Sequence, residues 1–225
     1  MTQSELFTVF PVFLLVDVSA SMAGGPIEAV NKALPDIQNE MRVNPMVGEI
    51  ARIGLTTFSD EARVVIPMCD LADAHLPELM VEGGTNFAAA FRGVRQAIES
   101  GLTSLPKGTP VYRPVVFFMS DGAHQSHDDW VAPLKELRDS GWKFAPEVVT
   151  FGFGQSQRES LQKIATRFAF EAKGDDTVNQ VREIMSAIVR SIRTTSTSLA
   201  DPSKAQGLYL DTPTETFTQL PTLTI

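Results

Sequence analysis

Three short runs of oxygen-bearing residues are the part of this chain best suited to chemistry. Asp17-Val18-Ser19-Ala20-Ser21 follows the apolar run 12–16, Gly83-Gly84-Thr85 lies in mid-chain, and Ser120-Asp121-Gly122 follows a second apolar run, 115–119. Asp17, Ser19 and Ser21 alternate, and alternate residues of an extended turn point the same way. One carboxylate and two hydroxyls suit a hard divalent cation, which prefers octahedral oxygen ligands and keeps several waters. Thr85 adds a third hydroxyl and Asp121 a second carboxylate. Mg²⁺ is the expected ion, with Mn²⁺ or Ca²⁺ the alternatives. The set holds no His or Cys, which argues against zinc. With few anions on it, the ion keeps positive character and seeks one more acidic oxygen from outside.

The elements that must bring these residues together follow from periodicity. Residues 12–18, 51–58, 114–120, 147–152 and 168–172 read as strands, several of them continuous apolar runs of the kind buried on both faces. Residues 62–68 follow 51–58 after a turn-length gap, so the two form an antiparallel hairpin. Helical spacing marks 26–43, 86–100, 128–140, 159–167 and 177–194, with Pro26 well placed in a first turn and Pro35 expected to kink or split its helix. Strands alternate with helices throughout. This predicts an α/β fold, a doubly wound and mostly parallel Rossmann-like sheet with one antiparallel edge strand and helices on both faces. Ligands of such sheets bind at the carboxyl ends of strands, where two of the three runs lie.

The domain is expected over 8–195. Residues 196–225 are rich in Thr, Ser and Pro without helical periodicity. On composition they read as a flexible C-terminal tail. Weak alternation at 208–210 and 217–225 would let them lie against the domain as an extended segment.

Bulk properties narrow the function classes. The chain has 225 residues, 43% hydrophobic and 20% charged, which fits a globular protein with a real core. A net charge of −8 argues against duplex nucleic acid as a partner. The single cysteine, Cys69, permits no intrachain disulfide and fits a reducing compartment. The first ten residues contain no basic residue, unlike a signal peptide, and no apolar run approaches the ~20 residues of a membrane span. A cytoplasmic location with no membrane partner is expected.

The motifs resemble a known family. "DVSAS" at 17–21, "GGTNF" at 83–87 and "FFMSDG" at 117–122 are similar to the von Willebrand factor A domain and its metal-ion-dependent adhesion site, MIDAS. The resemblance covers about residues 8–195. It implies that Ser19, Ser21 and Thr85 ligate the ion, that Asp17 and Asp121 bind it directly or through water, and that Asn86 and Gly122 flank the motif. It further implies a protein-binding module, not an enzyme, whose partner presents an Asp or Glu. Within the family, "PVFLLVDVSASMAGGPIEAVNKAL", "TTFSDEARVVIPM" and "RPVVFFMSDG" resemble the short cytosolic bacterial TerY-type proteins of tellurium-resistance and stress operons. That association implies a protein kinase and a PP2C-like phosphatase as partners.

Other chemistries fit less well. A haloacid-dehalogenase-type phosphatase is the alternative, with Asp17 as nucleophile and Asp128-Asp129 imitating a later acidic motif. Ser19, however, stands where that class carries its general acid. No P-loop sequence is present. His124 and His127 resemble a transition-metal pair but also suit a polar loop. Trp130 and Trp142 are expected to pack against the sheet, and Met22 and Phe87 either rim the ion or pack inward.

Overall fold

In the computed structural model, residues 8–201, 203–204, 207–211 and 215–224 are described. Seven strands form one sheet in the order β3-β2-β1-β4-β5-β6-β7. These are β1 (Phe10–Asp17), β2 (Ala51–Phe58), β3 (Ala62–Cys69), β4 (Val115–Ser120), β5 (Glu147–Gly152), β6 (Phe168–Ala172) and β7 (Phe217–Leu220). The five from β1, β2 and β4–β6 are mutually parallel, and β3 and β7 close the two edges antiparallel. The helices are α1 (Gly25–Val43), α2 (Pro45–Ile50), α3 (Phe87–Thr103), α4 (Val131–Arg138), α5 (Arg158–Ile164) and α6 (Thr177–Leu199).

Strand β1 shows why the central strands carry no polar face. Val12, Leu14 and Val16 pack with α1, α2 and α6, while Phe13 and Leu15 pack with α3, α4 and α5. Alternate side chains of one strand therefore feed two separate cores, and every residue of β1 is buried. Between α1 and α6, Arg193 binds the buried carboxylate of Glu40, its Nε lying 2.7 Å from Oε1.

Four expectations differ from the structure. Helix α1 runs unbroken through Pro35. That proline is exposed while Leu34 and Ile37 beside it are buried, so packing of the inner face holds the helix together across the missing N–H. Helix α4 starts at Val131, not 128, because Asp128 caps a different helix, as described below. The boundary at 195/196 falls inside α6, which continues to Leu199. The chain then returns along that helix. Ser191 Oγ donates to Tyr209 O at 2.5 Å, and the Tyr209 N–H donates to Thr195 Oγ1 at 3.1 Å. Leu208 is buried, and β7 adds a second antiparallel edge strand that was not expected. Residues 208–209 and 217–223 thus pack on the domain. The hydroxyl-rich face of α6 bonds its backbone, and Phe217 and Leu220 bury on the sheet.

Candidate metal centre

Strand register builds the centre. β1 and β4 are neighbours with Val16 opposite Met119, so their carboxyl ends bring Asp17 and Ser120 side by side. Ser120 Oγ donates to Asp17 Oδ2 at 2.6 Å, and the Ser19 N–H donates to Asp17 Oδ1 at 2.8 Å. The second bond turns the chain sharply out of β1 into a single 3₁₀ turn, Ala20–Met22. In this turn the Ser19 and Ser21 hydroxyls lie 3.1 Å apart, and Ser21 Oγ donates to Asp121 Oδ1 at 2.7 Å.

Thr85 arrives from a separate loop that is stitched to the first. The Glu82 N–H donates to Val18 O and the Ala20 N–H to Gly83 O, at 2.8 and 3.1 Å. Gly83 takes a φ of +61°, a left-handed value that favours glycine. The Gln125 N–H binds Thr85 O at 2.9 Å, tying this loop to the one after β4. Just beyond, the Asn86 side chain caps α3 through the Ala89 N–H, and Asp128 accepts from the N–H groups of Phe87 and Ala88 at 2.6 and 3.1 Å. A carboxylate at a helix N-terminus satisfies orphan donors and complements the dipole. Thr85 is thus held one residue ahead of the N-cap of a doubly capped helix.

All five expected residues, Asp17, Ser19, Ser21, Thr85 and Asp121, are gathered at one crest of the sheet. Between them lies a small cradle. A methyl group on Gly122 would sit 3.6 Å from both Ser21 Oγ and Thr85 Oγ1, so glycine there leaves room between the two hydroxyls. Asp17 is fully buried, Ser19, Thr85 and Asp121 are buried, and Ser21 faces solvent. Burial pushes the Asp17 carboxyl up to about 6, against the opposing hydrogen bonds from Ser120 and Ser19, and the neighbouring Asp121 adds to the rise. Burial also raises Asp121. No Lys or Arg among the described residues pairs with either. Two buried carboxylates without a positive partner are costly unless a cation joins them. The donors therefore fit a hard divalent ion. Among the described residues no group of three or more His, Cys, Asp or Glu is placed to hold a metal, so hydroxyls are indispensable to this set.

Several residues escaped the sequence reading. Ser120 was visible only as part of a motif, yet its hydroxyl fixes Asp17. Helical spacing places Asp128 at the start of its own helix, whereas its carboxylate serves α3. Gly154, with φ +58°, brings its loop against Asp121, whose carbonyl accepts the Gln155 N–H at 2.7 Å. The apolar-rim reading of Met22 and Phe87 does not hold, because both are buried in the core. The His124 ring lies 5.6 Å from Phe87 and 5.5 Å from Trp130, and its Nδ1 is 2.9 Å from Gln125 O, as a packed loop residue. Asp128, spent on α3, is not free to play the later acid of a phosphatase.

The von Willebrand factor type A domain matches residues 12–187, and the chain belongs to that family. Solved structures agree on the fold. Proximal thread matrix protein 1 from the mussel byssus superposes with a TM-score of 0.58 at 17% identity, covering 84% of this chain and 49% of that one. A von Willebrand factor type A protein from Catenulispora acidiphila gives 0.58 at 12% identity, covering 82% and 43%. The pilus adhesin SpaC from Lactobacillus rhamnosus GG, in its open conformation, gives 0.59 at 13%, covering 82% and 30%. The chain thus spans about half or less of these proteins. One structure of the mussel protein has a zinc-occupied MIDAS motif. No curated protein matches the chain.

Proposed function

We propose that this domain is a protein-interaction module that holds a divalent cation at Asp17, Ser19, Ser21, Thr85 and Asp121 and uses it to capture an acidic side chain of a partner protein. The observation that carries this reading is the pair of buried carboxylates, unpaired with any described Lys or Arg, facing three hydroxyls around the Gly122 cradle. When bound, the ion supplies a positive centre with an exchangeable position toward solvent. The chain's own residues do the rest. Ser120 and the Ser19 N–H hold Asp17 still, Ser21 orients Asp121, and the capped α3 holds Thr85. A carboxylate fills the open position best, because it pairs full charge with a hard cation in a partly dry site.

Mg²⁺ is our preferred ion, with Mn²⁺ or Ca²⁺ as substitutes. The zinc found in the mussel protein makes Zn²⁺ a competitor to be tested, against the argument from missing His and Cys. We further propose a cytoplasmic setting in a tellurium-resistance or stress system, with a protein kinase and a PP2C-like phosphatase as partners. This rests on the motif resemblance. No helix among the described residues is long and apolar enough to cross a membrane. No set of nucleophile, base and oxyanion donors among the described residues recommends an enzymatic role. The test is calorimetry of Mg²⁺ binding, followed by capture of a Glu-bearing peptide with Mg²⁺ or with chelator. Metal-dependent capture that is lost when Glu becomes Gln is expected. Equal capture with chelator would refute the reading.

A further inference from the structure

The opposite end of the sheet carries a depression that the metal centre does not explain. It has a volume of about 640 Å³ and lies between the end of α3, the segment leading into β4 and the loop 139–146. The length of β4 sets it about 20 Å from the metal centre. Its lining includes Tyr112, Arg113, Trp142, Lys143 and Phe144, and no lining residue is acidic, in a chain of net charge −8. The carboxylate of Asp139, on the neighbouring loop, is turned to the Gly141 N–H at 2.9 Å.

The cations here are held in place. Arg113 donates Nε to Ala145 O at 3.2 Å and Nη2 to Pro146 O at 3.1 Å, which fixes the guanidinium and leaves further N–H donors for an outside group. The Arg95 guanidinium lies 4.4 Å from the Trp142 ring centroid, and Lys143 Nζ lies 4.4 Å from that of Phe144. The two rings meet edge to face at 6.1 Å. The cleft thus offers half-buried aromatic area already paired with positive charge. Trp, Tyr and Arg are the residues in which interface binding energy concentrates.

We propose that this cleft is a second docking site, independent of metal, for an acidic segment of a partner protein that also carries an aromatic side chain. Charge complementarity selects the acidic residues, and the Trp142–Phe144 pair takes the ring. With the metal centre at the other end, the domain joins two partners, one through an ion and one through arginine and aromatic contacts.

The experiment uses the full chain and a phage-displayed random peptide library panned in chelator. A selected peptide is then followed by the two tryptophan indole N–H signals in NMR, Trp142 in the cleft and Trp130 beside α3. Recovered peptides should be enriched in Asp or Glu together with aromatics. Binding should shift Trp142 and leave Trp130 in place, and should weaken about tenfold in both Arg113→Glu and Lys143→Glu. High salt should weaken it as well. Three results would overturn the proposal: no acidic enrichment, equal binding by both charge-reversed variants, or a Trp142 shift produced by ATP but by no selected peptide. Because the selection excludes divalent ions, failure of the metal reading leaves these outcomes unchanged.

Discussion

At the carboxyl ends of β1 and β4 the protein buries two carboxylates that no described Lys or Arg pairs with. At the amino end of β4 it keeps Arg113 and Lys143 exposed in a cleft shared with Trp142 and Phe144, with Lys143 over the Phe144 ring. The same strand separates the two arrangements. Buried charge is expensive, so the first end gains most from an ion that neutralises it and from a ligand that completes the ion. Exposed charge is already solvated and gains modestly from any one contact, so a ligand at the second end would have to combine weak charge with apolar area. One sheet would then present two kinds of recognition, of which only one should depend on metal.

The largest expected effect comes from neither end and sets the baseline. Phe217 of β7 is buried, with its ring 6.1 Å from Phe151. Phe217→Ala should cost about 3–5 kcal/mol of stability, read by denaturant unfolding. The metal and peptide affinities of the folded protein should be unchanged. A change in either would show that the ends are not independent of the sheet edge.

Asp17→Ala should remove Mg²⁺ binding almost entirely, by more than about a hundredfold, since it deletes an anion and the acceptor of the Ser120 hydroxyl's shortest bond. In a thermal scan the wild type should gain about 2.7 kcal/mol at a hundredfold excess of Mg²⁺ over Kd, and the variant nothing. Binding at the Arg113 end should persist. Gly122→Ala should be milder. Its methyl meets the Ser21 and Thr85 hydroxyls at an ordinary contact distance, so the fold survives while the cradle fills. A roughly tenfold loss of Mg²⁺ affinity at unchanged stability, about 1.4 kcal/mol, is expected by calorimetry.

Acid should separate the ends further. The Asp17 carboxyl is pushed up to about 6 by burial, so protons compete with the ion below that value. Mg²⁺ affinity should be full above about pH 7 and fall roughly tenfold per unit below 6. In the absence of ion the sign for stability is the reverse. The folded form holds this proton more tightly than the unfolded chain, so the group's stabilising contribution is full below its ordinary value and lost as pH rises through about 6. Urea unfolding across that range, with and without Mg²⁺, reads both trends.

Much of this was legible in the sequence because side-chain type and strand punctuation carry it. The run 147–152 coincides with β5, buried from Val148 on as central parallel strands are, and the run 168–172 coincides with β6. Asp17, Ser19, Ser21, Thr85 and Asp121 could be named from their places at strand ends and a Gly turn. What could not be read depends on register and on long-range partners. The grip of Ser120 on Asp17 follows only once β1 and β4 are neighbours. The service of Asp128 to α3 spans 41 positions. The segment after α6 has the composition of a tail, and only the Tyr209 bonds to Ser191 and Thr195 reveal why those hydroxyls are buried.

The most direct measurement of the central claim is an NMR titration with Mn²⁺, whose paramagnetism broadens signals only near the bound ion. Early loss of the amide signals of Ser19–Ser21, Thr85 and Asp121–Gly122 is expected, reversed by excess Mg²⁺, with the Trp142 indole untouched. Broadening first at the exposed acids Asp60, Glu61 and Glu82, or nowhere at low Mn²⁺, would contradict it.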